Sequence, residues 1–404
     1  PKGWKVNKLK YICHEYGKTS LMHPENNKYI GLENVISYSD VINTTDTEYT
    51  ESIQKVCKKG ALLFSKLRPY LAKVIIAPFD GYCTNEFLEF DYFYGDMRFL
   101  KHCLRNPKFI NEVDNTTYGV KMPRTNTGIV LNQYIPLPPL PEQQRIADFL
   151  DTKCNILDRT IDAVSRQIED LEKYKKALIT KTVTKGICKK GEPERAMKDS
   201  GVEWIGEDIP FDWDINRLQF CIDEISERNY TGKETQILSL MKDKGVIPYE
   251  EKGKVGNISK TDLTQYKLAY PNTLITNSMN IIIGSSGISQ YKGCVSPAYY
   301  IFKAKPNNDI RYFNYIFAVR AFQNECRRFA NGILEIRLRI SSTNLLKIKV
   351  PVPPLAEQQQ IADYLDEKCK NIDNRVQKRR QQLEWLKEYK KSLIFDYVTG
   401  KKRV

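Results

Sequence analysis

The chain has 404 residues, 41% of them hydrophobic, and a formal net charge of +14. That is apolar content enough for two or three ordinary domains, while no apolar run approaches the ~18 residues a membrane span needs. No secretory h-region follows Pro1-Lys2-Gly3-Trp4, so the expectation is a soluble, cytoplasmic protein without membrane contact.

The ten cysteines are scattered singly with no Cys-x-x-Cys, and the histidines are His14, His23 and His102. Zinc ligands come as close pairs, so neither a structural metal nor a disulfide framework is expected. The charge excess is spread along the chain. Basic and acidic residues number 18 and 14 in 1–141, 13 and 11 in 142–200, 20 and 16 in 201–354, and 12 and 8 in 355–404. A diffuse positive field suits a polyanion contacted over much of the molecule, and equally a merely basic soluble protein.

In chain order, residues 1–141 form a first globular half that mixes strand-like runs (Lys73–Ala77) with helix-like ones (Arg98–Asn106). Two polar, basic stretches stand out in it. One is Ser65, Lys66 and Arg68 with Tyr70 and Lys73, and the other is Lys121, Arg124, Thr125 and Asn126. Arg and Lys read guanine edges, Asn and Gln read adenine, and Ser or Thr read either, so these are candidate DNA contacts. Each is also an ordinary solvated charge or turn former.

A proline strap, Pro136–Pro141, reads as a stiff extended spacer into a long helix, 142–186. Along it Leu150, Cys154, Leu157, Ile161, Val164, Ile168, Leu171, Lys175 and Leu178 alternate steps of four and three, the spacing of a coiled-coil seam. Pro141 and Glu142 suit its first turn and Gly186 its end. Residues 187–206 read as a linker. A second globular half, 207–356, follows with strand-like runs at Asn280–Ile283, Ala298–Phe302 and Leu346–Val350 and a helix-like run at Tyr312–Phe329. Its candidate DNA contacts are Asn277, Ser278, Asn280, Arg337, Arg339 and Ser341. The last segment, 357–404, is a second seam-bearing helix: Leu365, Cys369, Ile372, Val376, Arg379, Leu383, Leu386, Lys390 and Leu393, ending near Gly400.

The two long helices are copies. Pro136–Thr184 matches Pro351–Thr399 at an offset of 215, without a gap, with 25 identities in 49 positions. A period that long is a duplicated domain plus connector rather than a solenoid. The globular halves match more weakly: Gly3-Trp4-Lys5-Val6-Asn7-Lys8-Leu9 with Asp212-Trp213-Asp214-Ile215-Asn216-Arg217-Leu218, and Gly81-Tyr82-Cys83 with Lys292-Gly293-Cys294. The seam needs a partner and the other copy is the nearest one. Antiparallel packing is expected because it gives each half an equivalent environment. Lys175 and Lys390 fall at seam positions and either fix register or snorkel to solvent.

The strap-plus-helix Pro-Pro-Leu-x-Glu-Gln-x-x-Ile-Ala-x-x-Leu-Asp, repeated after a variable α/β domain, resembles the specificity (S) subunit of type I restriction–modification systems. So do Gly201-Val202-Glu203-Trp204-Ile205-Gly206 and Phe64-Ser65-Lys66-Leu67-Arg68-Pro69-Tyr70. The resemblance covers essentially the whole chain. It implies an α/β (α+β) fold with two target recognition domains joined by an antiparallel coiled coil as an internal pseudo-twofold repeat. It implies one half-site of a bipartite double-stranded DNA site read by each domain, with the helices setting the gap. Two methyltransferase (M) subunits and motor/restriction (R) subunits would dock on it. S-adenosylmethionine, ATP and Mg would belong to those partners, with no cofactor and no catalysis in this chain.

The residues agree on catalysis. Asn106-Pro107-Lys108-Phe109 lacks the second proline of a methyltransferase tetrapeptide and reads as a helix-end turn. Gly17-Lys18-Thr19 lacks the earlier glycine of a phosphate loop. Two other readings remain. One is a coiled-coil structural adaptor that binds proteins, or DNA without sequence preference; the other is a divergent methyltransferase, which cofactor binding would reveal.

Overall fold

The structure, a computed structural model, describes residues 3–22, 28–43, 52–119, 121–187, 191, 195–241, 244–253, 262–279, 281–330 and 338–404. Of the candidate DNA contacts, Asn280 and Arg337 lie outside the described residues. The chain forms two compact units, one of 1–168 with 378–404 and one of 169–377. Each unit therefore takes a globular half and a part of each long helix.

In the first unit the strands are β1 (Lys5–Lys8), β2 (Cys13–Glu15), β3 (Thr19–Leu21), β4 (Tyr29–Ile30), β5 (Ile53–Cys57), β6 (Leu62–Ser65), β7 (Val74–Ile76), β8 (Gly81–Cys83), β9 (Phe87–Phe93) and β10 (Tyr134–Leu137). One sheet runs β2-β9-β6-β7, another β3-β5-β8-β4, and β1 pairs with β10. Buried β6 shows how side-chain alternation builds the layers. Leu62 and Phe64 face a core shared with helices, while Leu63 faces a second core with Ile30, Ile75 and Phe87. The helices are α1 (Met97–Leu104), α2 (Pro107–Asp114), α3 (Thr127–Leu131) and the 46-residue α4 (Leu140–Lys185). Asp96, Asn106 and Asn126 cap the first three through their side chains, and Pro107 opens α2 where an N–H would be orphaned anyway.

The second unit repeats the plan. Its strands are β11 (Met197–Val202), β12 (Gly206–Pro210), β13 (Asp214–Arg217), β14 (Ile222–Glu224), β15 (Leu238–Met241), β16 (Gly245–Pro248), β17 (Lys267–Ala269), β18 (Leu274–Asn277), β19 (Ser286–Ile288), β20 (Gly293–Val295), β21 (Tyr299–Ala304) and β22 (Lys349–Val352). The sheet β14-β21-β18-β19 is the counterpart of β2-β9-β6-β7, and β13-β22 of β1-β10. Leu274 and Ile275 face different cores, as their first-copy equivalents do. The helices are α5 (Ile310–Ala318), α6 (Arg320–Arg328), α7 (Ser342–Leu346) and the 44-residue α8 (Leu355–Val398).

Within each unit the long helices pack antiparallel. In the first, the Phe149 and Tyr397 rings meet at 4.5 Å, tilted by 39°, and Asp158 pairs with Lys390 at 2.6 Å, so the contact moves up α4 as it moves down α8. In the second, Lys175 pairs with Asp373 at 2.6 Å, and Ile179 shares a core with Cys369 and Leu365. Seam residues Leu150, Val164, Leu365, Ile372, Val376, Leu386 and Leu393 are buried. Leu157, Ile161, Ile168, Leu171, Leu178 and Leu383 are half-buried, because two helices alone cannot close both sides of a seam. Arg379 is exposed and bonds to Gln382 on its own helix, so that layer is not apolar. Gly186 and Gly400 take left-handed φ of 79° and 70° just past the helix ends, where a glycine costs nothing.

Several expectations are corrected. The straps are extended as expected, but as paired strands rather than spacers: Pro136 and Pro351 lie in β10 and β22, paired with β1 and β13, while Pro141 stands in the first turn of α4 as expected. An edge position tolerates proline because its missing N–H faces outward. The expected linker 187–206 is structured from Met197, where β11 and β12 form a hairpin that buries Trp204 and Ile205 in the second core. The run Tyr312–Phe329 is two helices broken at extended Val319, which lets Phe317 and Phe322 pack at 5.1 Å. Ile281–Ile283 is one turn of 3-10 helix rather than a strand. Leu346 ends α7, so β22 starts only at Lys349.

Candidate nucleic-acid interface

The structure brings the two basic stretches of the first half together. Arg68 N–H donates to the Pro123 carbonyl at 2.7 Å, Thr125 N–H donates to the Lys66 carbonyl at 3.0 Å, and Leu67 and Arg124 form an isolated antiparallel bridge. β6 therefore ends in a rim made of 65–70 and 121–126. Ser65 and Thr125 are buried, against the expectation of surface contacts. Ser65 donates to the Leu67 carbonyl at 2.7 Å and so builds the turn. Asn126 caps α3 through Ile129 N–H, and Lys73 donates to the Leu32 carbonyl at 2.5 Å.

What the rim presents outward is Lys121, Met122, Tyr70 and Tyr118, with Lys66, Arg68 and Arg124 half-exposed. Arg68 sits at φ 49° and its buried Nε has no partner among the described residues. Arg124 pairs with Glu86 at 2.8 Å. Burial lowers the pKa of the Lys66 ammonium, and the charges of Lys55 and Arg124 lower it further. Glu86 and Glu15 oppose this lowering.

The second unit builds the same rim with different side chains. Ile340 N–H donates to the Ser278 carbonyl at 3.3 Å, and Tyr300 Oη donates to the Ile340 carbonyl at 3.0 Å. Ser278 is buried, and Asn277 takes the turn role by accepting from Met279 N–H. Ser341 caps α7 as Asn126 caps α3. Arg339 is exposed where the first unit has Arg124, but Asn277 and Ser278 stand where the first has Ser65 and Lys66.

A set of residues that the sequence did not single out joins strap to globular half, twice. Gln143 accepts from Asp96 N–H and donates to the Pro138 carbonyl; Gln358 does the same with Asp309 and Pro353. The Trp4 and Trp213 indoles donate to Glu142 and Glu357. Arg98 reaches Asp96 and Asp148, as Arg311 reaches Asp309 and Asp363. The signal was present, as Glu-Gln after each strap and Asp-x-Arg before each first helix. Its meaning depended on contacts some 50 residues away. The copies then diverge. The first unit has a buried network in which Lys101 bridges Asp40 and Asp151, Arg105 pairs with Asp40, and His102 bonds Asp151 at 2.8 Å. Burial lowers the His102 pKa to about 4. Asp151 is lowered to about 2: burial opposes this, but the His102 bond and the Lys101 charge outweigh it. Among the described residues no group of three or more His, Cys, Asp or Glu is placed to hold a metal ion, and no helix is long and apolar enough to cross a membrane.

The repeat of this architecture agrees with a family-wide match. A family model described as the type I restriction modification DNA specificity domain matches the chain twice, over residues 1–173 and 217–384. The chain belongs to that family. It is 30% identical over 301 residues to the type I restriction enzyme MjaVIII specificity subunit of Methanocaldococcus jannaschii, covering 71% of this chain and 66% of that one. It is 29% identical to the putative MjaX specificity subunit of the same organism, covering 67% and 59%. The chain thus spans somewhat under two-thirds of the length of these curated relatives. In fold it is similar to a chain in a structure of a type I R-M system described for complex assembly and conformational transition. The TM-score is 0.68 at 18% identity, covering 98% of each chain. It is also similar to the HsdS subunit of Thermoanaerobacter tengcongensis, with a TM-score of 0.51 at 18% identity, covering 99% of this chain and 97% of that one. The family match and the curated relatives support the reading as a specificity subunit over that of an adaptor.

Proposed function

We propose that the chain is the DNA sequence-specificity subunit of a type I restriction–modification complex. Each unit reads one half of a bipartite double-stranded site, and the paired helices set the gap. The chain itself is non-catalytic and carries no cofactor. Two methyltransferase subunits, and in a restricting complex the motor/restriction subunits, dock on it; S-adenosylmethionine, ATP and Mg act in those partners.

The observation that carries this reading is a repeated rim bearing unlike side chains. Arg124 and Arg339 occupy the same place, before the capping residues Asn126 and Ser341. A shared cation suits the phosphate backbone, which is the same in any sequence. At the strand end Ser65-Lys66 of the first rim stands where the second has Asn277-Ser278, and these side chains carry different donor patterns, as reading two different half-sites requires. Tyr70, Lys121 and Arg68 belong to the first rim's outward face. The test is to exchange Ser65-Lys66 with Asn277-Ser278 in the complex and determine the bound sequence. A change confined to the matching half-site, at an unchanged gap, is expected. An unchanged bound sequence would overturn the assignment of base reading to these rims.

A further inference from the structure

Behind each rim lies one lysine, at the same place in the two units and buried in both. Lys55 in β5 stands opposite Cys83 of β8, and Lys267 in β17 opposite Val295 of β20. Two residues on, Cys57 faces Gly81 as Ala269 faces Gly293, so the register is shared. The lysines are 7% and 8% exposed. Burying an ammonium is costly, and packing alone is better served by an apolar side chain. Yet the lysine stays while the strand end beside it changes from Ser65-Lys66 to Asn277-Ser278.

In the first unit Lys55 continues a ladder beyond the end of β2. Tyr16 N–H donates to the Glu89 carbonyl at 3.0 Å, and two residues away the Phe87 carbonyl accepts from Lys55 Nζ at 3.1 Å. Phe87 lies opposite Ser65, and the carbonyl before it, that of Glu86, accepts from Lys66 N–H at 2.9 Å. The Lys66 carbonyl in turn accepts from Thr125 N–H, which joins the two stretches of the rim. The charge of Lys55 is felt there as well, since it follows burial among the causes that lower the Lys66 pKa.

In the second unit Lys267 Nζ pairs with Glu224 at 3.2 Å and lies 5.2 Å from the centre of the Tyr300 ring. Tyr300 is opposite Thr276, one residue from the strand end. Its hydroxyl donates to the Ile340 carbonyl, and Ile340 N–H donates to the Ser278 carbonyl. The links differ, a main-chain carbonyl in one unit and an aromatic face in the other. In both, the lysine fixes the residue that ties the strand end into its rim.

We propose that Lys55 and Lys267 are positioning residues for base reading, each holding its own rim in register without touching DNA. The proposal rests on the reading of the rims given above. One base edge is told from another by donors and acceptors held to within about 0.5 Å. A rim freed from its support therefore keeps its charge and loses its discrimination.

The test is selection from a random duplex pool by the complex of the full chain with its methyltransferase subunit. The parent is compared with Lys55→Met and with Lys267→Met plus Glu224→Gln, which leaves no lone carboxylate. Removing a buried ammonium and orphaning its acceptor act on stability in opposite senses, so melting temperatures are expected within about 3 °C of the parent. The first variant is expected to lower base preference about tenfold in one half-site and leave the other unchanged. The second variant should do the same to the other half-site. The slope of log affinity against log salt should not change, because neither ammonium meets a phosphate. Unchanged preferences in both variants, or equal losses at both half-sites, would overturn the proposal. So would a slope shallower by about one, the mark of a direct phosphate contact. A fall of more than about 10 °C in both melting temperatures would also overturn it, leaving the lysines a role in folding alone. In each of these cases the parent still selects two half-sites, and the functional reading stands. A parent that selects no motif would overturn that reading and the proposal with it.

Discussion

The repeat offers a controlled experiment in electrostatics, because one ion pair occurs twice in different surroundings. Lys390 and Asp158 are 3% and 19% exposed in their side chains, whereas Lys175 and Asp373 are 30% and 58% exposed. Asp158→Ala leaves Lys390 buried with one carbonyl and strips Ser39 of its acceptor. Breaking a buried pair from one side costs about 3–5 kcal/mol, since the remaining charge is uncompensated. Asp373→Ala leaves a lysine that water can reach, and an exposed pair is worth about 0–1 kcal/mol. For units of this size a loss of 1 kcal/mol lowers the melting temperature by about 2–4 °C. The first variant should therefore melt lower by roughly 10 °C and the second by at most a few. The assay is scanning calorimetry, with the indole N–H resonances of Trp4 and Trp385 reporting the first unit and those of Trp204 and Trp213 the second in two-dimensional NMR spectra taken on heating. Adding Lys390→Met to Asp158→Ala should restore much of the loss, because a buried charge disappears. Equal effects of the two aspartate changes would refute the reasoning, as would a double variant no better than the single.

Other outcomes follow from the same contacts. Gln358→Ala removes an acceptor from Asp309 N–H and a donor to the Pro353 carbonyl, both beside a fully buried side chain, and should cost about 2–4 kcal/mol in the second unit's urea denaturation. Lowering pH from 6.5 toward 4 should destabilise the first unit. His102 stays neutral in the folded chain with a pKa of about 4, while the unfolded chain takes up a proton near 6.5. The loss approaches roughly 3 kcal/mol by pH 4, and Asp151, lowered to about 2, adds its own loss only below that window. His102→Gln should flatten the slope between pH 6.5 and 4, as read by denaturation midpoints at each pH. Inserting four residues in α4 adds about 6 Å and shifts the seam's phase. Selection for bound duplexes should then return a different gap or no binding, and an unchanged gap would count against the helices as a ruler.

The long helices were legible because their signals are local and repeated: a 3-4 apolar spacing, a glycine past each end, and a gapless second copy. The pairing direction was reachable by symmetry, but the partners of Lys175 and Lys390 were not. The seam spacing did not show whether a lysine there meets solvent or a carboxylate. Lys390 proves to be held inside by Asp158 and a loop more than 350 residues earlier in the chain. The rims were half-legible. Sequence marked 65–73 and 121–126 as polar and basic, and the structure joins them. But Ser65, Thr125 and Ser278 are buried, and Ser65 turns inward because a strand end must satisfy its own backbone before it offers anything outward. The straps were misjudged for a related reason: proline in an edge strand looks the same in sequence as proline in a spacer. The hairpin of β11 and β12 was hidden by its polar, glycine-bearing composition, and only Trp204 and Ile205 show that it has a face to bury.

The central claim is that two similar units read two unlike half-sites at a fixed separation. It is tested most directly by incubating the complex of this chain and its methyltransferase subunit with a pool of random duplexes and sequencing what is retained. The account predicts two short, different motifs at one constant gap, retained at physiological salt. Retention of duplexes with no shared motif, lost steeply as salt rises, would contradict it and leave a basic scaffold that holds DNA without reading it.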